Sequence, residues 1–261
     1  MWKLVLDSAP GTSHAATQTP CQDSCAVLEV GCASSRAIVA VAADGAGSAV
    51  HSAEGARIVC QTMTALVREF FDAGQTIAEI DHDCMLSWLS HIQYVLQQEA
   101  SLMQCDMADL ACTLLVAIVD EDCAVFTQVG DGAIVIDCDQ NEFITVFWPH
   151  EEEYLNVTHF ITSFDLPEVL QYAYFHRPIN KLALLTDGLQ MVALNMAERT
   201  AHPPFFSNFF DRICGEESVE DLNRLLNQFL ESGAVNKKTD DDKTLVLMAR
   251  MAREPAYEPA I

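Results

Sequence analysis

Basic residues are scarce in this sequence. Lys and Arg number 14 against 38 Asp and Glu in 261 residues, a formal charge of −24. No basic patch is visible, which argues against nucleic acid and anionic lipid as partners, since both are bound through Lys and Arg clusters. A cationic partner or a metal ion suits such a chain better. Long hydrophobic runs are missing as well. No uncharged apolar stretch approaches the roughly 18 residues of a membrane span. The segment Met1–Pro10 has one Lys and a short apolar run, not the shape of a signal peptide. No membrane partner is expected, and the cytoplasm is the expected location. Ten cysteines are present (Cys21, Cys25, Cys32, Cys60, Cys84, Cys105, Cys112, Cys123, Cys138 and Cys214), yet none forms the Cys-x-x-Cys pair typical of zinc sites. They read as reduced and mostly as small buried residues. No internal repeat and no linker stands out.

What is present is enough for a large core. Half of the residues are hydrophobic, and the length suits one large domain or two small ones. Ala26–Val30 reads as a short strand, and the continuous apolar run Ala37–Ala43 as a buried one. Two helical stripes follow. One is Ala56, Val59, Cys60, Met63, Leu66, Val67 and Phe70; the other is Met85, Trp88, Leu89, Ile92, Val95 and Leu96. Each has one apolar face, and a sheet is the natural partner for both. Leu114–Val119, Ala124–Val129 and Ala133–Ile136 come in quick succession and suggest antiparallel hairpins. Strands are also expected at Glu142–Phe147, Val169–Phe175, Lys181–Leu185 and Thr244–Met248. A late amphipathic helix is marked by Val219, Leu222, Leu225, Leu226, Phe229 and Leu230. Pro149–Ser163 is polar and irregular. The pattern is α+β rather than alternating βαβ.

Aspartates punctuate the strands. Asp44 follows AIVAVAA, Asp187 follows LALLT, Asp23 precedes AVLEV, and Asp241 and Asp242 precede TLVLM. In an antiparallel sheet the end of one strand lies beside the start of its neighbour. These carboxylates are therefore expected to gather on one edge of the sheet. Carboxylates held that close repel unless hard divalent cations compensate, and oxygen ligands suit magnesium or manganese. Taken singly, Asp44-Gly45, Asp131-Gly132 or Asp187-Gly188 is more often a turn than a ligand.

Read in order, Cys21-Gln22-Asp23-Ser24, Ala43-Asp44-Gly45-Ala46-Gly47-Ser48, Ala111-Cys112-Thr113, Gly130-Asp131-Gly132, Thr186-Asp187-Gly188 and Asp241-Asp242-Lys243-Thr244 resemble the motifs of the type 2C metal-dependent protein phosphatases. The match runs from about residue 11 to residue 250. Gly11-Thr12-Ser13-His14 and Glu153-Tyr154-Leu155-Asn156-Val157-Thr158 resemble a bacterial branch of that family. The resemblance implies a single domain over residues 1–253, with 254–261 a loose tail. It implies a central β-sandwich of two antiparallel sheets flanked by antiparallel helices, in four layers. It implies two or three divalent cations, manganese or magnesium, at one end of the sandwich. By motif position Asp44 would bridge two metals, the Gly45 carbonyl would ligate one, and Asp187 and Asp241 would hold the second. Asp23 would act close by through metal-bound water, and Asp131 would contribute with Asp187 to a third site. The implied activity is hydrolysis of phosphoserine and phosphothreonine by a metal-bridging water. The absence of any Cys-x5-Arg agrees with a reaction that needs no cysteine nucleophile. The implied partner is a phosphoprotein, the target of a Ser/Thr kinase, and a monomer is expected. A weakly active or inactive phosphoprotein-binding module of the same fold, or an enzyme for small phosphoesters, remains the alternative.

The sequence also departs from the family pattern. Gln18 stands where many members have a phosphate-gripping Arg, and His14 is the nearest residue able to donate to phosphate. Ala46 stands where some members have a His proposed as leaving-group acid; His51 reads instead as the start of the first helix. Ala111-Cys112-Thr113 replaces Gly-Thr-Thr. Asp241-Asp242 replaces Asp-Asn, with the ligand assigned to Asp241 because Thr244 and the strand after it fix the register, and Asp242 as fallback. Arg36 and Arg57 could contact a substrate but read rather as surface charges, and the run Glu151–Glu153 as a solvated one. The irregular segment falls where the family has a mobile flap, an analogy of position only.

Overall fold

The structure is a computed structural model that describes residues 1–32, 35–137, 142–148 and 158–251. The acidic run 151–153, most of the irregular segment and the tail 254–261 lie outside the described residues. In chain order, β1 (Trp2–Ala9) and a short helix α1 (Thr12–Thr17) precede the hairpin of β2 (Ser24–Cys32) and β3 (Ser35–Ala43). Two long helices follow, α2 (Ser52–Asp72) and α3 (His82–Met103), then β4 (Leu114–Val119), β5 (Ala124–Val129), β6 (Ala133–Asp137) and β7 (Phe143–Thr145). A single turn, α4 (Leu166–Val169), leads into β8 (Gln171–Phe175) and β9 (Lys181–Leu185). The rest comprises α5 (Gln190–Ala193), the two-residue strands β10 (Leu194–Asn195) and β11 (Thr200–Ala201), α6 (Pro203–Ile213), α7 (Val219–Leu230) and the closing strand β12 (Lys243–Arg250).

Two five-stranded antiparallel sheets result, ordered β1-β12-β9-β6-β7 and β2-β3-β4-β5-β8. Ile38, Ala40 and Ala42 of β3 meet Leu182, Leu184, Val246 and Met248 of the opposite sheet in the layer between them. The other face of β3, carrying Val39, Val41 and Ala43, packs under Val59, Met63 and Val67 of α2 and Leu89 and Ile92 of α3. That is why AIVAVAA is apolar at every position: both of its faces are covered. Phe205, Phe206, Phe210, Leu222 and Leu226 of α6 and α7 cover the outer face of the first sheet. The four-layer sandwich expected from the resemblance is therefore the observed one.

Several boundaries differ from expectation. The three runs from Leu114 to Ile136 are not one meander. β4 pairs with β5, but β6 pairs with β7 and β9 in the other sheet. Gly130-Asp131-Gly132 is thus a crossing between sheets rather than a hairpin turn. Val169 belongs to the helical turn α4, so the next strand starts at Gln171. Unforeseen elements are β1, whose Lys3 and Asp7 mask a two-sided strand, and α6. Helix α6 opens on Pro203-Pro204, and a first turn tolerates prolines because its N–H groups lack intrahelical partners anyway. Among the described cysteines Cys60, Cys112 and Cys123 are buried, Cys21, Cys25, Cys84 and Cys105 half-buried, and Cys214 exposed. All eight are free thiols, but burial is less general than expected. Among the described residues no helix is long and apolar enough to cross a membrane.

Candidate active site at one end of the sandwich

Pairing register delivers the acids. Ser24 lies opposite Ala43, so Asp23 and Asp44 flank one end of the β2–β3 pair. Leu185 lies opposite Leu245, so Asp187 and the Asp241–Asp242 turn flank one end of the β9–β12 pair. Asp23 and Asp187 both lie close enough to act on the Asp44 carboxyl, so the two ends coincide. The expectation of a single sheet edge is corrected here. Each sheet supplies two of the acidic positions, and they meet across the sandwich because the sheets stack with these ends in register.

Desolvation dominates the electrostatics. It raises the Asp44 carboxyl furthest from its usual value, with the charges of Asp23 and Asp187 adding to the rise. Asp23 and Asp187 are also raised, again chiefly by burial. Three carboxyls in contact cannot all ionise without compensation, so the metal-free site retains protons. Asp23 is steadied by two hydroxyls: Thr186 Oγ1 and Thr244 Oγ1 each donate to its Oδ2 at 2.8 Å. Ser8 Oγ lies 2.7 Å from Thr244 Oγ1 and extends that network into β1.

Backbone contacts fix Asp44 itself. Its N–H donates to Thr113 Oγ1 at 3.0 Å, and its carbonyl accepts the Thr113 N–H at 2.8 Å. Gly45 bridges Cys112, and the Ala46 N–H donates to the Ala111 carbonyl at 2.9 Å. Ala111-Cys112-Thr113 therefore holds the Asp44 segment straight, in keeping with a strand-packing motif. In that bridge the Gly45 carbonyl is not consumed by Cys112, because the bonds flank the pair.

Oδ1 of Asp23 and Oδ1 of Asp187 are buried without a hydrogen-bond partner. Orphaned carboxylate oxygens at a cluster of acids suit a hard divalent cation. Among the described residues no group of three or more His, Cys, Asp or Glu side chains stands in a coordination-ready arrangement. The residues fit a cation once those carboxyls release their protons.

Comparison with known proteins decides the family. The Protein phosphatase 2C family model matches residues 10–231. The chain is 35% identical over 249 residues to Serine/threonine-protein phosphatase 3 of Escherichia coli (strain K12), covering 94% of this chain and 97% of that protein. This chain belongs to the protein phosphatase 2C family. Solved structures show the same fold at low identity. Serine/threonine phosphatase Stp1 from Staphylococcus aureus matches with a TM-score of 0.62 at 16% identity, over 97% of this chain and 96% of that one. A bacterial serine phosphatase matches with a TM-score of 0.63 at 15% identity, over 97% and 100%.

Against the phosphatase 2C motifs, the remaining positions fall as follows. Asp131 lies near Asp187 and raises its pKa through charge. Its Oδ2 accepts from Thr158 Oγ1 at 2.7 Å, and its carbonyl accepts from Gln190 Nε2. Asp241 is exposed and its charge is felt at Asp187, whereas Asp242 is buried. Gly188 permits this closeness: a Cβ there would lie 1.9 Å from the Asp242 carbonyl oxygen. Gln18 is exposed at the end of α1 with φ 60°, and His51 caps α2. Ala46 is buried against Ala49, Ala111 and Phe160. Arg57 is held by Glu54 and Gln61 on its own helix. Arg36 sits at the β2–β3 hairpin tip, the far end from Asp44, beside a cleft of about 660 Å³. Sequence reasoning missed the supporting groups Thr113, Thr186 and Thr244. Their only signal was a threonine at or beside a strand end within each quoted motif.

Proposed function

We propose that this family member is a metal-dependent protein serine/threonine phosphatase that hydrolyses phosphoserine and phosphothreonine on other proteins. The observation that carries the reading is the contact of Asp44 with both Asp23 and Asp187, two acids brought from two sheets to one point. Asp44 takes the bridging position, Asp187 and Asp241 the second cation, and the Gly45 carbonyl one ligand position. Asp23 acts close by, with Asp131 and Asp187 at a weaker third position. When bound, two or three manganese or magnesium ions supply an activated water and neutralise charge on the phosphoryl oxygens.

The chain's own residues do the rest. Thr186 and Thr244 orient Asp23 with one oxygen occupied and the other buried and unpaired. Thr113 holds the Asp44 backbone, so its carboxyl meets acids from the opposite sheet. His14 takes the place of the absent Arg as the group that donates to the substrate phosphate. Local cation charge also explains how a chain of formal charge −24 accepts an anionic ester. The partner is a kinase-phosphorylated protein, and the protein acts as a cytoplasmic monomer.

The test is direct. Purified protein supplied with manganese should hydrolyse a phosphothreonine peptide, and Asp44→Ala should abolish turnover. Hydrolysis of nucleotides or sugar phosphates with none of phosphopeptides would replace this reading with a small-ester phosphatase.

A further inference from the structure

The two acids of the Asp241–Asp242 turn face different ways, and the second is fully committed inside the fold. Asp242 is 2% exposed. Its Oδ1 accepts the Gly11 N–H at 2.6 Å, and its Oδ2 accepts the Gln22 N–H at 2.5 Å. Nδ1 of His14 lies 2.9 Å from Oδ1, a close contact without an in-line hydrogen bond. One carboxylate thus joins three segments: the loop that opens α1, the residue before Asp23, and the turn that carries Asp241.

The α1 loop is pressed onto that turn. The Ser13 N–H and Oγ both donate to the Asp240 carbonyl, at 3.0 and 2.6 Å. A Cβ on Gly11 would lie 2.2 Å from the same oxygen, so only glycine allows the approach. His14 is therefore held against the turn bearing Asp241, with its side chain 18% exposed. Lys243 is buried, and its ammonium donates to the Pro10 carbonyl and to Asn236 Oδ1. In the α1 segment, His14 is the side chain with a ring nitrogen left to donate to a bound anion.

We propose that Asp242 is a positioning residue for substrate phosphate, not a metal ligand: it fixes His14 so that the outer ring nitrogen, Nε2, meets the phosphoryl oxygens. The proposal rests on the phosphatase reading above and adds the residue through which His14 replaces the missing Arg. A carboxylate whose two oxygens already accept backbone N–H groups is a poor candidate for a cation ligand. An anionic partner at Nδ1 sets the ring orientation and leaves Nε2 for the ligand. An amide at 242 offers one acceptor oxygen. It would leave the Gly11 or Gln22 N–H unpaired and give the imidazole no charge to lean on. The acid in place of the family's amide thus goes together with a histidine in place of the family's Arg.

Steady-state kinetics on a phosphothreonine peptide with manganese, for His14→Gln, Asp242→Asn, the double variant and Asp241→Asn, would test this beside calorimetric manganese titrations. His14→Gln and Asp242→Asn should each raise KM for peptide and Ki for inorganic phosphate about tenfold, the loss of one charge-assisted contact. Their kcat should stay within about threefold of the parent and their manganese affinity should be unchanged. The double variant should be no worse than the weaker single one, because both remove the same contact. Asp241→Asn should lose manganese. If Asp242→Asn fails to fold, His14→Gln alone still decides, since His14 lies on the short helix α1, which contributes no residue to the core. An unchanged KM in His14→Gln, additive effects in the double variant, or loss of manganese in Asp242→Asn with retention in Asp241→Asn would each overturn the proposal. A parent protein that turns over no phosphopeptide would instead sink the phosphatase reading beneath it.

Discussion

Replacing Asp44 with Asn should stabilise the metal-free protein while destroying its metal site. Burial and two acidic neighbours push the Asp44 carboxyl up to about 12 in the folded chain, from 3.8 when unfolded. Over the window from pH 5 to 8 the folded state therefore keeps this proton and the unfolded state does not. A carboxyl raised in this way lends stability that is whole below about pH 4 and drains away as pH rises through the folded value. Each pH unit crossed removes about 1.4 kcal/mol, so pH 5 to 8 removes about 4 kcal/mol from Asp44 alone. Asp187, raised to about 6, and Asp23, raised to about 7, add losses at the lower end of the window. For a domain of this size about 4 kcal/mol corresponds to roughly 10 °C in Tm. Asn is neutral throughout and still offers a donor to the neighbouring acids. The assay is a thermal melt with EDTA at pH 5, 6, 7 and 8. The parent's Tm should fall against that of Asp44→Asn by about 10 °C across the series. Manganese should then restore the parent and leave the variant unmoved. Parallel pH–Tm curves for the two proteins would refute the claim that Asp44 is folded as a protonated acid.

Manganese binding should release protons at neutral pH, because the cation must displace those shared by Asp44, Asp23 and Asp187. Calorimetry in two buffers of different ionisation enthalpy reads the number, and affinity should rise from pH 6 to 8; a buffer-independent heat would contradict it. Thr244→Val removes one of the two hydroxyls that favour ionised Asp23, so the rise of manganese affinity with pH should move to higher pH, at a cost of about 1 kcal/mol in urea unfolding. Gly188→Ala places a Cβ 1.9 Å from a backbone oxygen and should cost about 3 kcal/mol or more, seen as a lowered urea midpoint with most activity lost. Arg36→Ala, at the opposite end of β3, should leave kcat/KM within about twofold, and a tenfold change would show that substrate reaches that end.

Much of this was legible in the sequence because the governing signals are local. AIVAVAA announced a strand covered on both faces, and Lys181–Leu185 matched its bounds because Asn180 and Thr186 punctuate it. The acids could be paired because antiparallel strands set end against start. Which sheet each pair belonged to could not be read. Gly130-Asp131-Gly132 has the look of a hairpin turn, and only the packing of Leu115 and Leu185 around Gly132 shows that the chain changes layers there. β1 escaped because Leu4 and Leu6 face one layer while Val5 and Ala9 face another, which blurs the alternation of a one-sided strand. The division of labour between Asp241 and Asp242 was argued from register alone. The closing of two backbone N–H groups from distant segments on Asp242 has no trace in neighbouring sequence.

The two-sheet origin of the acids also bears on how the molecule comes apart. An ion lodged among Asp23, Asp44 and Asp187 takes its carboxylates from both layers and acts as a rivet through the seam between them. Depriving the protein of cations should loosen that end first. Amide exchange should then quicken at Asp44 to Ala46 and around Gly188 well before it does at the β2–β3 hairpin tip.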